Sequence, residues 1–392
     1  MNYYQIALPL VRLQSMNFTG LSHYQVNMKN NWYKTIIITT VILSLSYGCE
    51  KEKDAPEDRD PEISIESNRI ICKYSFEFGK NIAAHDDHIL VSDYESVRIF
   101  RHTQSTLELL QTIDLGWKGG IFDMVIQDSM LAVAFGDDNG TGNVFLYERN
   151  DAQWELEQEI RIGREKDAFG WDIDIEGEYM VVGAPAVYTG SSPDPSDPEG
   201  RVYIFKKTPE GWIREAELKA MNSSYADKFG TTVAVNNGLV LASSAFTALH
   251  IFELEDTWDL LRVYTFNTND ISHYGDNFLF LDVYYNTSSF ILEPDGSFNF
   301  FEVNYSSYQG HNPIHTASFL GDSRDNSAVV VMDNKSYCYL IKYENSRWLV
   351  AKRINAEDPD REMISGSAIT DDYVIYGVSS TAGMEYVSIV EY

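Results

Sequence analysis

A hairpin pattern that recurs along the chain constrains the fold more than any other feature of the sequence. Each copy has an alternating strand that ends in an aromatic residue, a polar turn, a tryptophan and a second alternating strand. The clear copies cover residues 144–160, 202–218, 249–264 and 339–354, and their tryptophans share one phase (Trp154, Trp212, Trp258 and Trp348). Weaker copies at 97–113 and 289–303 carry Leu107 and Phe298 instead. Alternation with a period of two is typical of strands, so the pattern predicts a repeated antiparallel unit.

A second pair of strands precedes each hairpin. The clearest copies are 167–185 and 227–245, and the second turns on Asn237-Gly238, which is a strong hairpin signal. Six units open on a glycine, and the wide gap before the last one accommodates another unit around 306–355 (Gly79, Gly120, Gly170, Gly230, Gly275 and Gly366). Four short strands in about 46 residues, without a helical period, predict a blade. We expect an all-β, seven-bladed propeller over 68–392, with six or eight blades as alternatives.

The two ends of this region predict how the ring closes. The last unit supplies three strands before the chain ends at Tyr392, while residues 68–77 stand as a spare strand before the first unit. An unpaired strand edge exposes free backbone groups. We therefore expect residues 68–77 to complete the final blade and to close the ring.

The N-terminal region predicts export. Residues 28–48 have a basic start, an apolar run from Thr35 to Leu45 and small residues before Cys49. The run is shorter than the ~18 residues that span a bilayer, so it indicates a signal peptide. Residues 1–27 precede this complete signal, and we interpret them as a mis-assigned start or a disordered stretch. Residues 49–67 are charged and contain proline, which predicts a flexible acidic tether.

The Leu-Ser-Tyr-Gly-Cys stretch that ends at Cys49 resembles a bacterial lipobox, although Tyr47 departs from the usual pattern. The resemblance implies a lipidated Cys49 and an outer-membrane lipoprotein that faces the periplasm or the cell surface. Acidic residues directly behind the cysteine resemble the surface-export signals of lipoproteins in the Bacteroides group. An ordinary signal peptide with a chance cysteine is the alternative.

Charge and cysteine content exclude some classes of function. The chain has 59 acidic and 30 basic residues, for a net charge of -29, so it repels phosphate backbones and a nucleic-acid partner is not expected. Cys72 and Cys338 both fall in predicted strands, which favours buried free thiols over a disulfide. We expect a monomer.

One unit carries a family resemblance. Asp167-Ala-Phe169-Gly170, followed by Val182-Gly-Ala-Pro185 and Gly200-Arg-Val-Tyr-Ile-Phe205, resembles an FG-GAP repeat, the unit of the integrin alpha-subunit propeller and of many bacterial exported proteins. We expect Phe169 to wedge between blades, Gly170 to permit close backbone approach and Pro185 to end a strand.

The resemblance also raises the question of calcium, which some integrin blades bind in a D-x-D-x-D-G-type loop. Asp172, Asp174 and Glu176 approach this spacing, but Met180 stands where a further oxygen ligand is expected. We therefore interpret these residues as the polar face of a strand, with a calcium site as the alternative. No other cofactor is expected.

Two further clusters have similar alternatives. Asp137 and Asp138 indicate a solvated turn, with a metal site as the alternative. His85-Asp86-Asp87-His88 falls at a predicted turn, where alternation splays neighbouring side chains apart, so a metal or catalytic role is disfavoured. The sequence contains no nucleophile elbow, Walker loop, HExxH or CxxC pair.

Strand parity predicts where a partner binds. Connections between blades and those joining the second and third strands of a blade emerge on one face, here called the loop face, and they include the long stretch 186–201. Recognition usually uses such loops. The candidate contacts are Asp137, Asp138, Asp167, Tyr188, Asp194, Asp197 and Asp227. We favour binding or adhesion to a protein or a glycan over catalysis. The alternatives are a polysaccharide hydrolase or lyase with carboxylates converging at the axial mouth, and a scaffold without a pocket.

Overall fold

The computed structural model describes residues 62–392 apart from short interruptions. The residues outside the description in this range are 74, 76, 117–118, 138–139, 151–152, 163–165, 187–198, 222–226, 245–247, 266–267, 275–276, 283–286, 293–297, 303–316, 325–326, 333–335, 345–346, 359 and 381–384. The predicted signal peptide, Cys49 and most of the predicted tether also lie outside the described residues. In the part of the chain that is described, no helix is long and apolar enough to cross a membrane.

Two N-terminal strands, β1 (Glu62–Glu66) and β2 (Arg69–Lys73), precede six four-stranded antiparallel sheets, which we call blades 1 to 6. Blade 1 contains β3 (Ile82–His85), β4 (His88–Ser92), β5 (Ser96–His102) and β6 (Leu107–Asp114). Blade 2 contains β7 (Gly119–Gln127), β8 (Met130–Asp137), β9 (Gly142–Asn150) and β10 (Gln153–Arg161). Blade 3 contains β11 (Ile173–Glu176), β12 (Tyr179–Ala184), β13 (Arg201–Thr208) and β14 (Gly211–Leu218).

The remaining blades follow the same order. Blade 4 contains β15 (Phe229–Asn236), β16 (Leu239–Ser244), β17 (Ala248–Leu254) and β18 (Trp258–Tyr264). Blade 5 contains β19 (Thr268–Tyr274), β20 (Asn277–Asp282), β21 (Thr287–Leu292) and β22 (Phe298–Glu302). Blade 6 contains β23 (Ala317–Arg324), β24 (Ser327–Met332), β25 (Tyr337–Glu344) and β26 (Arg347–Asn355). Gly275 was expected to open blade 5, but the first strand of that blade precedes it.

A five-stranded sheet, which we call the closing sheet, joins the two ends of the described chain. Its order is β1, β2, β29 (Glu385–Glu391), β28 (Tyr373–Ser380) and β27 (Glu362–Ile369). Strand β2 is antiparallel to β29, with Ile70 opposite Val387 and Cys72 opposite Glu385. The predicted pairing of the spare N-terminal strand with the last unit is therefore confirmed.

Strand β1 corrects the predicted boundary of the tether. Residues 62–66 were expected within the flexible stretch, but they pair with β2 from Glu62 opposite Lys73 to Glu66 opposite Arg69. The alternating Ile63 and Ile65 in this short segment suit a strand, and pairing with β2 satisfies the outer edge that β2 would otherwise expose. The many charged residues around Ile63 and Ile65 favoured a tether over a strand in the sequence.

The inner strands make the contacts between sheets. Each first strand packs against the first strand of the next sheet, in the order β3, β7, β11, β15, β19, β23 and β27, and β27 packs back against β3. The circuit is closed, which is the arrangement of a β-propeller with four-stranded antiparallel blades.

The hydrophobic core lies between neighbouring blades. One cluster joins Phe135 and Tyr147 of blade 2 to Leu90 and Ile99 of blade 1, and other clusters join the later blades in the same way. The four hairpin tryptophans are buried, with exposures between 0% for Trp348 and 8% for Trp258. Each blade therefore depends on its neighbours for burial, as expected for a stacked repeat.

The Phe-Gly pairs lie at the junctions between blades. Phe169 is fully buried against Tyr203 and Phe205 of blade 3, with ring centroids 5.6 and 6.1 Å away, and shares a core cluster with Val144 of blade 2. Gly230 has φ of +90°, and a Cβ there would lie 2.4 Å from the Arg201 carbonyl oxygen. The wedge predicted for Phe169 is observed, and Gly230 shows why the following position requires glycine.

The cysteines behave as the sequence predicts. Cys72 on β2 and Cys338 on β25 are buried free thiols. Burial raises the pKa of Cys72 to about 11 and that of Cys338 to about 12, so both thiols stay protonated and unreactive at neutral pH.

Candidate functional site

The structure describes three of the seven aspartate and tyrosine residues predicted as contacts on the loop face. Asp137 caps the turn that follows β8, since its Oδ1 accepts a hydrogen bond from the Thr141 amide at 2.9 Å. Asp227 is half-buried and lies near His250. The other predicted contacts lie outside the described residues: Asp138, Tyr188, Asp194 and Asp197.

Asp167 requires a correction. It was expected to be a surface contact, but it is only 1% exposed. Its Oδ1 accepts a hydrogen bond from the Phe169 amide at 3.0 Å, and its carbonyl accepts one from Ala186 at 2.9 Å. Asp167 therefore shapes the turn that inserts Phe169 between blades.

Asp172, Asp174 and Glu176, the weak calcium candidates, form hydrogen bonds to the next blade. Alternate carboxylates of blade 3 accept backbone N–H groups of blade 4: Asp172 from Val233 at 2.6 Å, Asp174 from Val235 at 2.8 Å and Glu176 from Asn237 at 3.2 Å. Inner strands have no strand partner on the axial side, so these side chains satisfy exposed donors there. Within the described residues, no group of three or more His, Cys, Asp or Glu side chains is placed to hold a metal ion.

Blade 2 contacts blade 3 in the same way, through residues that no sequence motif indicated. Asp123 accepts from the Ile173 amide at 2.9 Å, and Gln127 accepts from the Gly177 amide at 3.1 Å. The available signal was positional, because Asp123 and Gln127 occupy the same places on their strand as Asp172 and Glu176 do on theirs. Two polar residues in a mostly apolar strand gave no reason to select Asp123.

Asp123 and Asp172, which we call the axial carboxylates, interact with each other. Burial raises the pKa of Asp123 to about 6, and burial together with the charge of Asp123 raises the pKa of Asp172. The two side chains are hydrogen-bonded to each other, and Asp270 adds a further negative charge near Asp172. A shared proton between Asp123 and Asp172 follows, because two adjacent carboxylates cannot both ionise cheaply.

Three of the nine large apolar side chains that are exposed among the described residues lie on the loop face. Trp171 is 42% exposed, Met221 is 57% exposed and Met363 is 41% exposed, and all three belong to connections or strand ends on this face. The Trp171 ring lies 5.4 Å from the Phe122 ring of blade 2. Aromatic residues and methionine are enriched where proteins bind partners. No motif in the sequence singled out these residues, although Trp171 directly follows the Phe-Gly pair.

Comparison with known proteins identifies the repeat. The FG-GAP repeat family matches residues 163–205, which run from the entry of blade 3 into β13. The chain therefore combines an FG-GAP repeat with a β-propeller fold. Such a fold suggests a binding or scaffold role. No curated protein matches the sequence.

Two solved structures resemble the whole propeller. The chain of Saccharomyces cerevisiae Sqt1 is 9% identical with a TM-score of 0.49, over 82% of this chain and 98% of that one. A chain of the Mitotic Checkpoint Complex is 11% identical with a TM-score of 0.53, over 87% of this chain and 97% of that one. The second likeness supports the fold alone.

Proposed function

We propose that this protein is an exported, lipid-anchored envelope protein that binds a protein or a glycan through its loop face. The observation that carries the loop-face part of the proposal is the exposed Trp171, supported by Met221 and Met363. Export and lipid anchoring are proposed from the lipobox resemblance that ends at Cys49. Binding would remove the apolar surface of each side chain from water, which stabilises the complex by about 25 cal/mol per Å² buried. The rigid ring beneath them would limit the entropy lost when the face meets a partner.

The binding test removes exposed apolar surface from one face at a time. The W171A/M221S variant reduces it on the loop face, and the L156S/I213S variant reduces a similar exposed area on the outer strands of blades 2 and 3. Envelope proteins and purified envelope glycans are captured with each variant. We expect the first variant alone to lose capture by tenfold or more. Equal capture by all forms would contradict the loop-face proposal.

The anchor has its own test. Replacing Cys49 with alanine removes the thiol that the lipobox resemblance assigns to lipid attachment. We expect the variant to lose incorporation of labelled fatty acid and to leave the membrane fraction for the soluble fraction. Unchanged labelling of C49A would rule out lipidation at this residue.

An enzymatic function remains the second candidate, favoured by the raised pKa values of Asp123 and Asp172. Paired carboxylates with separated pKa values occur in glycoside hydrolysis. Here, however, each carboxylate also accepts a backbone N–H of the next blade, which supports a structural role. Polysaccharide cleavage that is lost in D123N, with the fold intact, would favour the enzyme.

We also propose that the closing sheet counts as the seventh blade. Its strand β27 has the place of an inner strand, between β23 of blade 6 and β3 of blade 1. Strand β2 then supplies the fourth strand that the C-terminal unit lacks, and β1 is an additional outer strand.

A further inference from the structure

A cleft opens between blade 1 and the closing sheet, on the side opposite the loop face. It has a volume of about 320 Å³, within the range of small-ligand sites. It is bounded by the turn between β3 and β4, the turn between β5 and β6 and the turn between β27 and β28. Neither the loop face nor the axial carboxylates contribute to it, so it is independent of the proposed partner site.

The inside of the cleft is apolar and aromatic. Ile89 and Ile375 line it and are almost fully buried. His102 and Tyr373, one from each side of the junction, lie with ring centroids 4.5 Å apart at 85°. Burial lowers the pKa of His102, so its ring is neutral at pH 7 and offers no repulsion to a cation.

The outside of the cleft is acidic. Asp86 and Asp87 line it from blade 1, and Asp371 and Asp372 line it from the closing sheet. Side chains of blade 1 already contact two of these carboxylates: Arg101 lies 3.4 Å from Asp87 and His88 Nδ1 lies 2.7 Å from it, while His85 Nε2 lies 3.7 Å from Asp86. Arg101 also lies 3.6 Å from Glu108, so the carboxylates around the cleft outnumber its arginine. The cleft therefore has a negative opening and an aromatic pair in its lining.

We propose that this cleft binds a guanidinium group, carried either by a small molecule or by an arginine side chain of a protein partner. A guanidinium is planar and weakly hydrated, so its faces stack on aromatic rings while its N–H groups donate to carboxylates. Carboxylates and aromatic rings line the same cavity here. An ammonium group would gain the charge attraction but less of the stacking.

The test compares matched ligands on the full chain. Arginine amide and citrulline amide have nearly the same shape, but only the first carries a guanidinium. Titration calorimetry at low salt measures both, and an arginine-containing tripeptide tests whether a flanking backbone adds affinity. We expect arginine amide to bind at least tenfold more tightly than citrulline amide. Equal affinity, or no heat with arginine amide at millimolar concentration, would overturn the proposal.

Variants separate the cleft from general attraction to an acidic protein. D371N/D372N removes two charges from an exposed turn of the cleft, and E255Q/D256N removes two from an exposed turn of blade 4. We expect the first variant to weaken arginine amide tenfold and the second to change it less than twofold. Y373A should also weaken binding, through lost stacking. Equal losses in both double variants would mean unspecific attraction and would overturn the site.

Tighter binding of the tripeptide would identify an arginine side chain of a protein as the source of the ligand. Equal or weaker binding would identify a small guanidinium compound. Loss of capture in W171A/M221S bears on the loop face alone, so the two proposals can fail separately.

Discussion

At the scale of single residues, side chains that look functional in the sequence hold the backbone together. Asp172 and Asp174 have the spacing of cation ligands, yet each accepts an N–H of the next blade. Asp167 belongs to a recognisable motif, yet it is buried in the turn that the motif forms. Strand alternation led us to interpret Asp172 and Asp174 as the polar face of a strand, whereas Asp167 was expected on the surface and is buried. The partner could not be predicted, because it lies on another strand some 61 positions away for Asp172 and Val233.

Asp123 gives the prediction at this scale. Because burial raises its pKa to about 6 in the folded protein, folding favours the protonated form. Its contribution is therefore most favourable below the ordinary aspartate pKa and is lost as the pH rises through about 6. D123N imitates the protonated side chain, so we expect it to be more stable than the wild type at pH 7.5, on the order of 2 kcal/mol. The difference should shrink towards pH 4.5.

Urea unfolding at the two pH values measures this change. D259N serves as the control, since Asp259 is exposed on an outer strand. A stability difference in D123N that does not depend on pH would contradict the shared proton.

At the scale of elements, the junctions between blades have specific hydrogen bonds as well as apolar packing. On the outer strands, the side-chain amide of Gln111 bonds to the backbone of Trp154. It accepts from the backbone N–H at 2.8 Å and donates to the backbone carbonyl at 2.9 Å. Gln158 makes the same pair of bonds with Trp212. These glutamines link the fourth strands of successive blades, in addition to the inner carboxylates.

Replacing Gln158 with leucine should therefore weaken the junction of blades 2 and 3. The Trp212 backbone would lose both partners, and we expect a loss of about 1–3 kcal/mol in the free energy of unfolding. Q153L, at an exposed position on the same strand, provides the control and should change stability by less than about 0.5 kcal/mol. Equal effects of the two substitutions would show that the amide bonds contribute nothing net.

At the scale of the whole molecule, stability depends on joining the two ends of the chain. Ile70 of β2 is fully buried with Ile375 and Val387 of the C-terminal strands. Nearby, Asp93 of blade 1 accepts hydrogen bonds from Ser75 and Arg98, which ties the segment after β2 to the first blade. The closing sheet is therefore held from both directions around the ring.

Removal of residues 1–73 should disrupt this closure, because β29 would lose β2, one of its two partner strands, and the core would lose Ile70. We expect a lower melting temperature and a broader transition in calorimetry. Removal of residues 1–61 keeps both N-terminal strands and should leave the transition unchanged. A sharp transition at the original temperature after the longer truncation would show that the ring does not need β2.

The sequence by itself determined the blade repeat, the shared phase of the tryptophans, the Phe-Gly wedge and the pairing of the spare strand, because alternation and turn residues are local signals. The tertiary structure decided which polar residues are structural and where the cleft lies. It placed Asp123 beside Asp172 and His102 beside Tyr373 by closing the ring. Such neighbours come from separate blades, and only the packing of the sheets fixes their distance.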